Sequence, residues 1–424
     1  MVHGPEAVAP ITKAMPRSLI VGSVALLHAF CAIAASGQQV PQSVSLAEAI
    51  ELLNRQSPEL ASARSRLRGL LGAARQGRAI ENPTASFTNE DLGEYSERYF
   101  NVSQPMDFLW QGGARGRRAD ARSEEARGLF MADSAGIGLE LKRVFVRAWE
   151  HRELVSALAE ADATHADVLE DATQRFAQDD IAGYDLRRLR VARAGAARRL
   201  ARAQEALADA ERRLGATVTG DESLPRVRAE DPNTEALLAG LDFDAPSQAL
   251  QVRPELVAAA SRTRSLDAEA ALVGRSVMSG TTLTAGFKQQ SDGRDGVFLG
   301  FQLPLPFLDR RGGAGEAAEA DAERSRSEAE ALRRSVVREA ALAEARLESA
   351  LRLRASFGAS GAQDARALLE AARVAYAEGE IGVAALVDAA DAFVEARSLE
   401  ASVRADVWAA VFELEYAAVS YTHL

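Results

Sequence analysis

The chain has 424 residues, with 50 Lys and Arg against 61 Asp and Glu, a net charge of -11 and 26% charged residues. So acidic a balance offers no basic surface for a phosphate backbone, and nucleic acid is excluded as an expected partner. Aromatic residues are only 6% while Ala, Arg, Glu and Leu crowd the sequence, a mix that suits long helices packed through small residues better than a thick globular core.

At the N-terminus, Lys13 and Arg17 precede an uncharged run from Ser18 to Ala35, followed by Ser36-Gly37-Gln38-Gln39. A positive segment, an apolar segment and the Ala32-Ile33-Ala34 site are the parts of a secretory signal peptide, expected over residues 1–35 and starting at Met1 or Met15. Ala29-Phe30 fits lipoprotein cleavage at Cys31 poorly. Cys31 is the single cysteine, so disulfides and cysteine metal sites are excluded. No later segment holds eighteen uncharged apolar residues, so a membrane crossing would have to be made without helices. At the other end, Val419 to Leu424 resembles the translation of a common sequencing adaptor, an expected artefact that is given no function.

Between these ends the same grammar is written twice, over residues 36–240 and 241–418. Ser57-Pro58-Glu59-Leu60 answers Arg253-Pro254-Glu255-Leu256, and Phe100 to Gln104 answers Phe298 to Gln302. Gly112-Gly113-Ala114 answers Gly312-Gly313-Ala314, and Phe176-Ala177 with Ile181 and Leu186 answers Tyr376-Ala377 with Ile381 and Leu386. Two long copies are a duplication, not a solenoid. The first reads as a helix over 46–79 ended by Asn82-Pro83, two strands within 84–105, a long helix over 113–178 and a shorter one over 184–214. The second reads as a helix over 246–279, two strands within 281–303, a long helix over 313–378 and a shorter one over 383–418.

The later strands are the clearer pair. Leu283, Ala285 and Phe287 alternate with polar or small residues, as do Val297, Leu299, Phe301 and Leu303, with the Ser291–Gly296 turn between them. An apolar face on a period of two suits a strand with lipid on one side and a wet lumen on the other. In the long helix, Leu154, Leu158, Ala161, His165, Val168 and Ala172 step by four and three, a coiled-coil seam. At about 1.5 Å per residue each long helix would run roughly 100 Å, and the shorter helices 184–214 and 246–279 laid end to end would match it. His151 and His165 are too far apart in sequence to form a ligand cluster and read as surface or seam residues. Four strands cannot close a barrel, and an open sheet in lipid would strand its backbone donors and acceptors. Several copies must therefore pool their strands, and three would supply twelve.

This layout resembles the TolC-type outer-membrane efflux proteins, and within them the branch serving heavy-metal export. The resemblance is carried by Leu46-Ala-Glu-Ala-Ile50 with Ser57-Pro-Glu-Leu60, by Asn82-Pro83, and by Gln104-Pro105 through Gly112-Gly113. It continues in Leu303-Pro-Leu-Pro-Phe-Leu-Asp309-Arg310 and in Tyr376-x-x-Gly379-Glu380 followed by Asp388. It implies a mainly α protein with a small β part: a transmembrane β-barrel completed by a homotrimer, continuing into a coiled-coil helical barrel in the periplasm. It implies a passive conduit with no cofactor, working with a periplasmic adaptor protein and an inner-membrane pump. The tips meeting the adaptor would be Asp179-Asp180-Ile181-Ala182-Gly183 and Glu378-Gly379-Glu380-Ile381-Gly382, each with a glycine suited to reversal at a helix end.

The family's Asp-x-x-Asp pair, a carboxylate constriction at the periplasmic entrance, falls on Ala385 and Asp388. The first carboxylate is missing, and Asp391 lies one turn beyond Asp388 on the same face. Asp388 is the expected constriction residue and Asp391 a displaced second one. Nothing resembles a Gly-x-Ser-x-Gly elbow, a phosphate-binding Gly-Lys-Ser/Thr loop or a His-Glu-x-x-His site, so no enzyme is expected. The alternatives are the outer-membrane component of a protein-secretion exporter and a periplasmic coiled-coil adaptor or scaffold. The cargo is open between metal cations, drugs and solvents.

Overall fold

The structure is a computed structural model that describes residues 42–91, 93–220, 223–239, 253–357 and 361–418. Contacts separate Met1–Pro41 from Gln42–Leu424, and every described residue belongs to the second unit. The signal peptide, the start of the helix expected from 246 and residues 419–424 therefore lie outside the described residues.

The chain opens with a short strand β1 (Ser43–Val44) and helix α1 (Leu46–Gln56). Ser45 starts α1 in a capping box, its hydroxyl accepting from the Glu48 amide while Glu48 accepts from the Ser45 amide at 2.8 Å. The single helix expected over 46–79 is two. Pro58 clashes with the preceding turn, and the Ser57 hydroxyl instead caps a new helix α2 (Pro58–Arg78) through the Leu60 amide at 3.1 Å. Strands β2 (Thr84–Asp91) and β3 (Ser96–Pro105) follow, and then the 70-residue helix α3 (Phe108–Ala177). It begins five residues before the expected 113, since Gly112 and Gly113 are carried inside it. A helical glycine costs only about 1 kcal/mol against alanine, which a helix of this length absorbs.

Helix α4 (Gly183–Thr219) outruns the expected end at 214 and stops at Gly220, whose φ of 63° suits a glycine. After it come β4 (Arg228–Ala229) and α5 (Thr234–Ala239), neither expected from sequence, and α6 (Pro254–Arg275), which starts at the proline and gives way to a 3-10 turn over Ser276–Met278. Strands β5 (Thr282–Gln290) and β6 (Asp295–Gln302) lead to α7 (Gly312–Phe357), α8 (Gly361–Ala377) and α9 (Val383–Ala417).

The helices form one layer of four columns. Above, α2 packs on α3, α3 on α6 and α6 on α7; below, α4 packs on α3, α3 on α9, and α9 on α7 and α8. The shorter helices thus run two to a column beside the continuous α3, while the single long helix expected over 313–378 is described as two, α7 and α8, which share one column. Among the described residues, the outer columns, α2 with α4 and α7 with α8, have a neighbouring column on one side only. Narrow seams hold the layer: of the expected coiled-coil positions, Leu158, Ala161, His165, Val168 and Ala172 are buried and Leu154 is half-buried.

The thickest packing is where α3 meets α9. Trp149 and Trp408 lie edge to face with centroids 4.3 Å apart, Arg404 stacks against both rings, and Phe145 and Phe412 are buried nearby. The Trp408 indole donates to the Thr234 hydroxyl at 2.8 Å, and Arg404 pairs with Asp231 at 2.7 Å. These bonds tie α5 and the parallel pair of β1 and β4 to the middle of the layer.

The four longer strands form one antiparallel sheet in the order β2-β3-β5-β6. Its register aligns Phe87, Phe100, Phe287 and Val297 in one row across all four strands. On the same face lie Val102, Leu283, Ala285, Leu299 and Phe301, and this face is exposed in the single chain. The opposite face carries Thr84, Ser86, Asn101, Ser103, Thr284 and Lys288, with Lys288 paired to Glu97 at 2.7 Å. A cluster of Tyr95, Tyr99 and Gln290 donates to the same Glu97 carboxylate. On this polar face Phe298 packs edge-on against Tyr99 and lies across the bare backbone of Gly286, where an added Cβ would come 2.5 Å from the ring. Among the described residues, no helix is long and apolar enough to cross a membrane.

Candidate functional site

The two helix reversals lie side by side. Their apolar residues make one cluster from both halves of the chain: Ala172, Leu186 and Leu189 with Ala372, Tyr376, Leu386 and Ala389, and Ile181 and Ile381 packed against its edge. Burying both tips in one cluster fixes each reversal against the other.

The backbone solves both reversals alike. At the end of α3 the Asp180 amide donates to the Arg175 carbonyl at 2.9 Å and the Asp179 amide to that of Phe176 at 3.1 Å. At the end of α8 the Glu380 amide donates to the Ala375 carbonyl at 2.8 Å and the Gly379 amide to that of Tyr376 at 3.1 Å. Both are Schellman-type ends, which require a left-handed residue. In the second tip that residue is Gly379, with φ of 78°. In the first it is Asp179, with φ of 62°, and not the expected Gly183. Gly183 instead opens α4, where Phe176 packs over it at 3.4 Å from an added Cβ. An aspartate tolerates this conformation better than most residues but less well than glycine.

Asp179, Asp180, Glu378 and Glu380 are all exposed at the tips. Arg175 holds the tips together: its Nε donates to Asp180 at 3.0 Å and its Nη1 to the Tyr376 carbonyl of the other tip at 3.3 Å. The guanidinium also lies 5.8 Å from the centre of the Tyr376 ring. Burial raises the pKa of the Tyr376 hydroxyl, which the nearby Arg175 partly offsets. Sequence reasoning passed over Arg175; its only signal is a cation in the last turn of α3, where the helix dipole favours one.

Beyond the second tip, α9 buries Val383, Leu386, Ala389, Ala390 and Phe393 and leaves Ala385, Asp388 and Asp391 on its exposed face. Asp391 pairs with Arg199 of α4 at 2.7 Å. Among the described residues, Asp388 makes no hydrogen bond or ion pair. His165 is buried in the seam with Nδ1 2.7 Å from the Ala161 carbonyl oxygen. Among the described residues, no group of three or more His, Cys, Asp or Glu is placed to hold a metal ion.

No protein-family model matches the chain. Over 365 residues it is 26% identical to the cobalt-zinc-cadmium resistance protein CzcC of Cupriavidus metallidurans, covering 84% of this chain and 85% of that one. Among solved structures, the outer membrane protein VceC of Vibrio cholerae superposes with a TM-score of 0.71 at 18% identity, over 88% of this chain and 95% of that one. The CmeC outer membrane channel of Campylobacter jejuni gives 0.70 at 13%, over 88% and 85%. At such identities these likenesses speak to the fold, and the fold they share is the sheet-and-column arrangement described above. The fold, the order of its elements and a relative matched along most of its length all agree with the resemblance of this chain to the TolC-type outer-membrane efflux proteins.

Proposed function

We propose that three copies of this chain form the outer-membrane conduit of a tripartite efflux system and that its cargo is a metal cation. The observation that carries the assembly is the pair of open borders. The sheet ends in β2 on one side and β6 on the other, and the helix layer ends in α2 and α4 on one side and α7 and α8 on the other. A sheet with an apolar outer face cannot sit in lipid with both edges unpaired, because each unmet backbone group costs several kcal/mol. Pairing β2 of one copy with β6 of the next removes every edge, and three copies give twelve strands. The helical columns close in the same sense and form a tube extending into the periplasm.

Such a tube supports the reading of a passive conduit, with energy supplied by an inner-membrane pump through a periplasmic adaptor. The exposed acids Asp179, Asp180, Glu378 and Glu380, set around Gly183 and Gly379, form the surface on which the adaptor docks. Asp388, unengaged within the chain, supplies one carboxylate per copy to a ring at the periplasmic entrance, which favours cations. Asp391 contributes less, because Arg199 already offsets its charge. The metal cargo rests on the likeness to the cobalt-zinc-cadmium resistance protein.

The purified mature protein in planar bilayers, with its mass measured in detergent, tests the channel. Discrete cation-preferring openings from a trimer are expected, and a monomer without conductance would overturn the reading. Cargo is tested separately: deletion of the gene should raise sensitivity to divalent transition metals, and sensitivity to organic solvents alone would replace metal as the substrate class.

A further inference from the structure

The two strand pairs join their long helices differently. Between β3 and α3 only Met106 and Asp107 intervene, whereas β6 and α7 are separated by residues 303–311. The longer connection is Leu-Pro-Leu-Pro-Phe-Leu-Asp-Arg-Arg, and Leu303, Leu305, Phe307 and Leu308 are all exposed, Leu308 at 91%. Chain connectivity does not need nine residues here, and water does not favour four bare apolar side chains in so short a stretch.

The sheet indicates what covers them. Its apolar face is bounded at the hairpin end by a polar row, Asn89, Arg98, Gln289 and Asp295. From the Val297 row to the Phe301 row is four residues, about 10 Å of height for a strand tilted by roughly 40°. A spanning apolar band is about 25 Å tall, so the strands alone fall well short. Leu303 and Leu305 continue the same alternation beyond Phe301, and Phe307 and Leu308 follow. Irregular backbone is not tolerated deep in hydrocarbon. Here Pro304 and Pro306 have no amide hydrogen to satisfy, and the Phe307 amide donates to the Leu305 carbonyl at 2.9 Å. The segment is therefore suited to the boundary between acyl chains and headgroups.

Charge completes the pattern. Asp309 folds back on its own backbone, its carboxylate accepting from the Arg311 amide at 2.8 Å. Arg310 and Arg311 are exposed directly after the apolar run, and Arg311 has a φ of 57°.

We infer that residues 303–311 are a lipid anchor at the periplasmic surface of the outer membrane: Leu305, Phe307 and Leu308 enter the acyl–headgroup boundary and Arg310 and Arg311 bind lipid phosphates. The inference rests on the reading of the sheet as membrane-spanning. Guanidinium groups suit phosphate oxygens through paired hydrogen bonds, and an apolar stretch beside two cations is a two-part interfacial signal.

Spin labels on Leu308→Cys and, separately, Leu299→Cys in a Cys31→Ser background test this with the full assembly in nanodiscs of phosphatidylcholine and phosphatidylglycerol. Power saturation should show both labels relaxed more by oxygen than by a water-soluble nickel chelate, with Leu308 the shallower. A Leu299 label that prefers the nickel chelate would bring down the membrane sheet itself. A Leu299 label in lipid with a Leu308 label in water, or shielded from both agents against a second copy, would overturn the anchor alone. Arg310→Gln with Arg311→Gln should move the Leu308 label outward in the anionic discs; an unchanged depth would remove the phosphate contact from the proposal.

Discussion

Arg199 and Asp391 face each other across α4 and α9 at 2.7 Å, while Asp388, one turn earlier on the same face of α9, is left exposed. Both partners of the pair are about half exposed, so its worth to stability is small, on the order of 0–1 kcal/mol. In the proposed channel its effect on the field at the entrance would be the larger one. Asp388→Asn is expected to lower the cation-over-anion permeability ratio more than Asp391→Asn does, and Arg199→Ala is expected to raise it. Reversal potentials under a salt gradient give all three values; equal effects of the two asparagines would remove Asp388 from its special role.

The two tips differ by one residue in the left-handed position, and that difference is measurable. Gly379→Ala places a Cβ on a backbone of φ 78° and should cost about 1 kcal/mol. Asp179→Gly relieves the same strain at φ 62° and should leave stability within about 0.5 kcal/mol of the parent, since relief is offset by the greater freedom of glycine in the unfolded chain. Denaturant midpoints with unchanged slopes would report both.

Leu299 lies on the apolar face of the sheet and Ser86 on the polar one. Leu299→Arg should cost about 2–4 kcal/mol if the face meets lipid near the bilayer middle, whereas Ser86→Arg should be tolerated. The fraction of assembled protein recovered in outer-membrane preparations separates the two, and equal recovery would argue that neither face meets lipid.

Two helical glycines make opposite demands. Gly136 has nothing within 4 Å of an added Cβ, so Gly136→Ala should stabilise α3 by about 1 kcal/mol. Gly215 is overlaid by the Pro225 carbonyl, so Gly215→Ala must push the chain after α4 away; overpacking of this kind costs about 1–3 kcal/mol. Thermal unfolding should shift upward for the first and downward for the second.

Glu150 of α3 has its pKa raised, chiefly by burial, with His151 opposing and Asp406 adding to the shift. A carboxylate with a folded pKa above its unfolded value of 4.5 is destabilising when ionised. The folded state therefore takes up the proton first, and stability rises as pH falls from neutral through the folded pKa. Glu150→Gln should be more stable than the parent at neutral pH, with the advantage shrinking as pH approaches 4.5. An advantage independent of pH would mean that packing, not charge, is responsible.

Much of this fold is written locally. The strand pairs were legible because alternation of apolar and polar residues on a period of two has few other meanings, and the seam from Leu158 to Ala172 because fours and threes repeat along a proline-free helix. The break at Ser57 was available in the same terms, as a capping residue followed by proline. Reversal at Asp179 was harder to read, because glycine four residues later offers a better intrinsic fit; the Schellman hydrogen bonds fix the position by the length of α3, not by residue preference. At the candidate site, the two helix reversals and the left-handed Gly379 were legible, whereas the part played by Gly183 and the engagement of the acids were not. Arg199 meets Asp391, and Arg175 meets the Tyr376 carbonyl, only because the two halves of the chain are laid against each other.

The unpaired borders of β2 and β6 also bear on the protein's passage to its destination. A lone chain carries two ready templates for strand addition, flanked by the bare phenylalanines 87, 100 and 287. Such a species is prone to aggregation until its edges are capped. Insertion before partner pairing would leave the same borders facing oil. In the proposed trimer, folding of the strands, association of the copies and entry into the bilayer would be interdependent, and a chain made in excess of its partners would be material for periplasmic chaperones and proteases rather than a reserve of ready subunits.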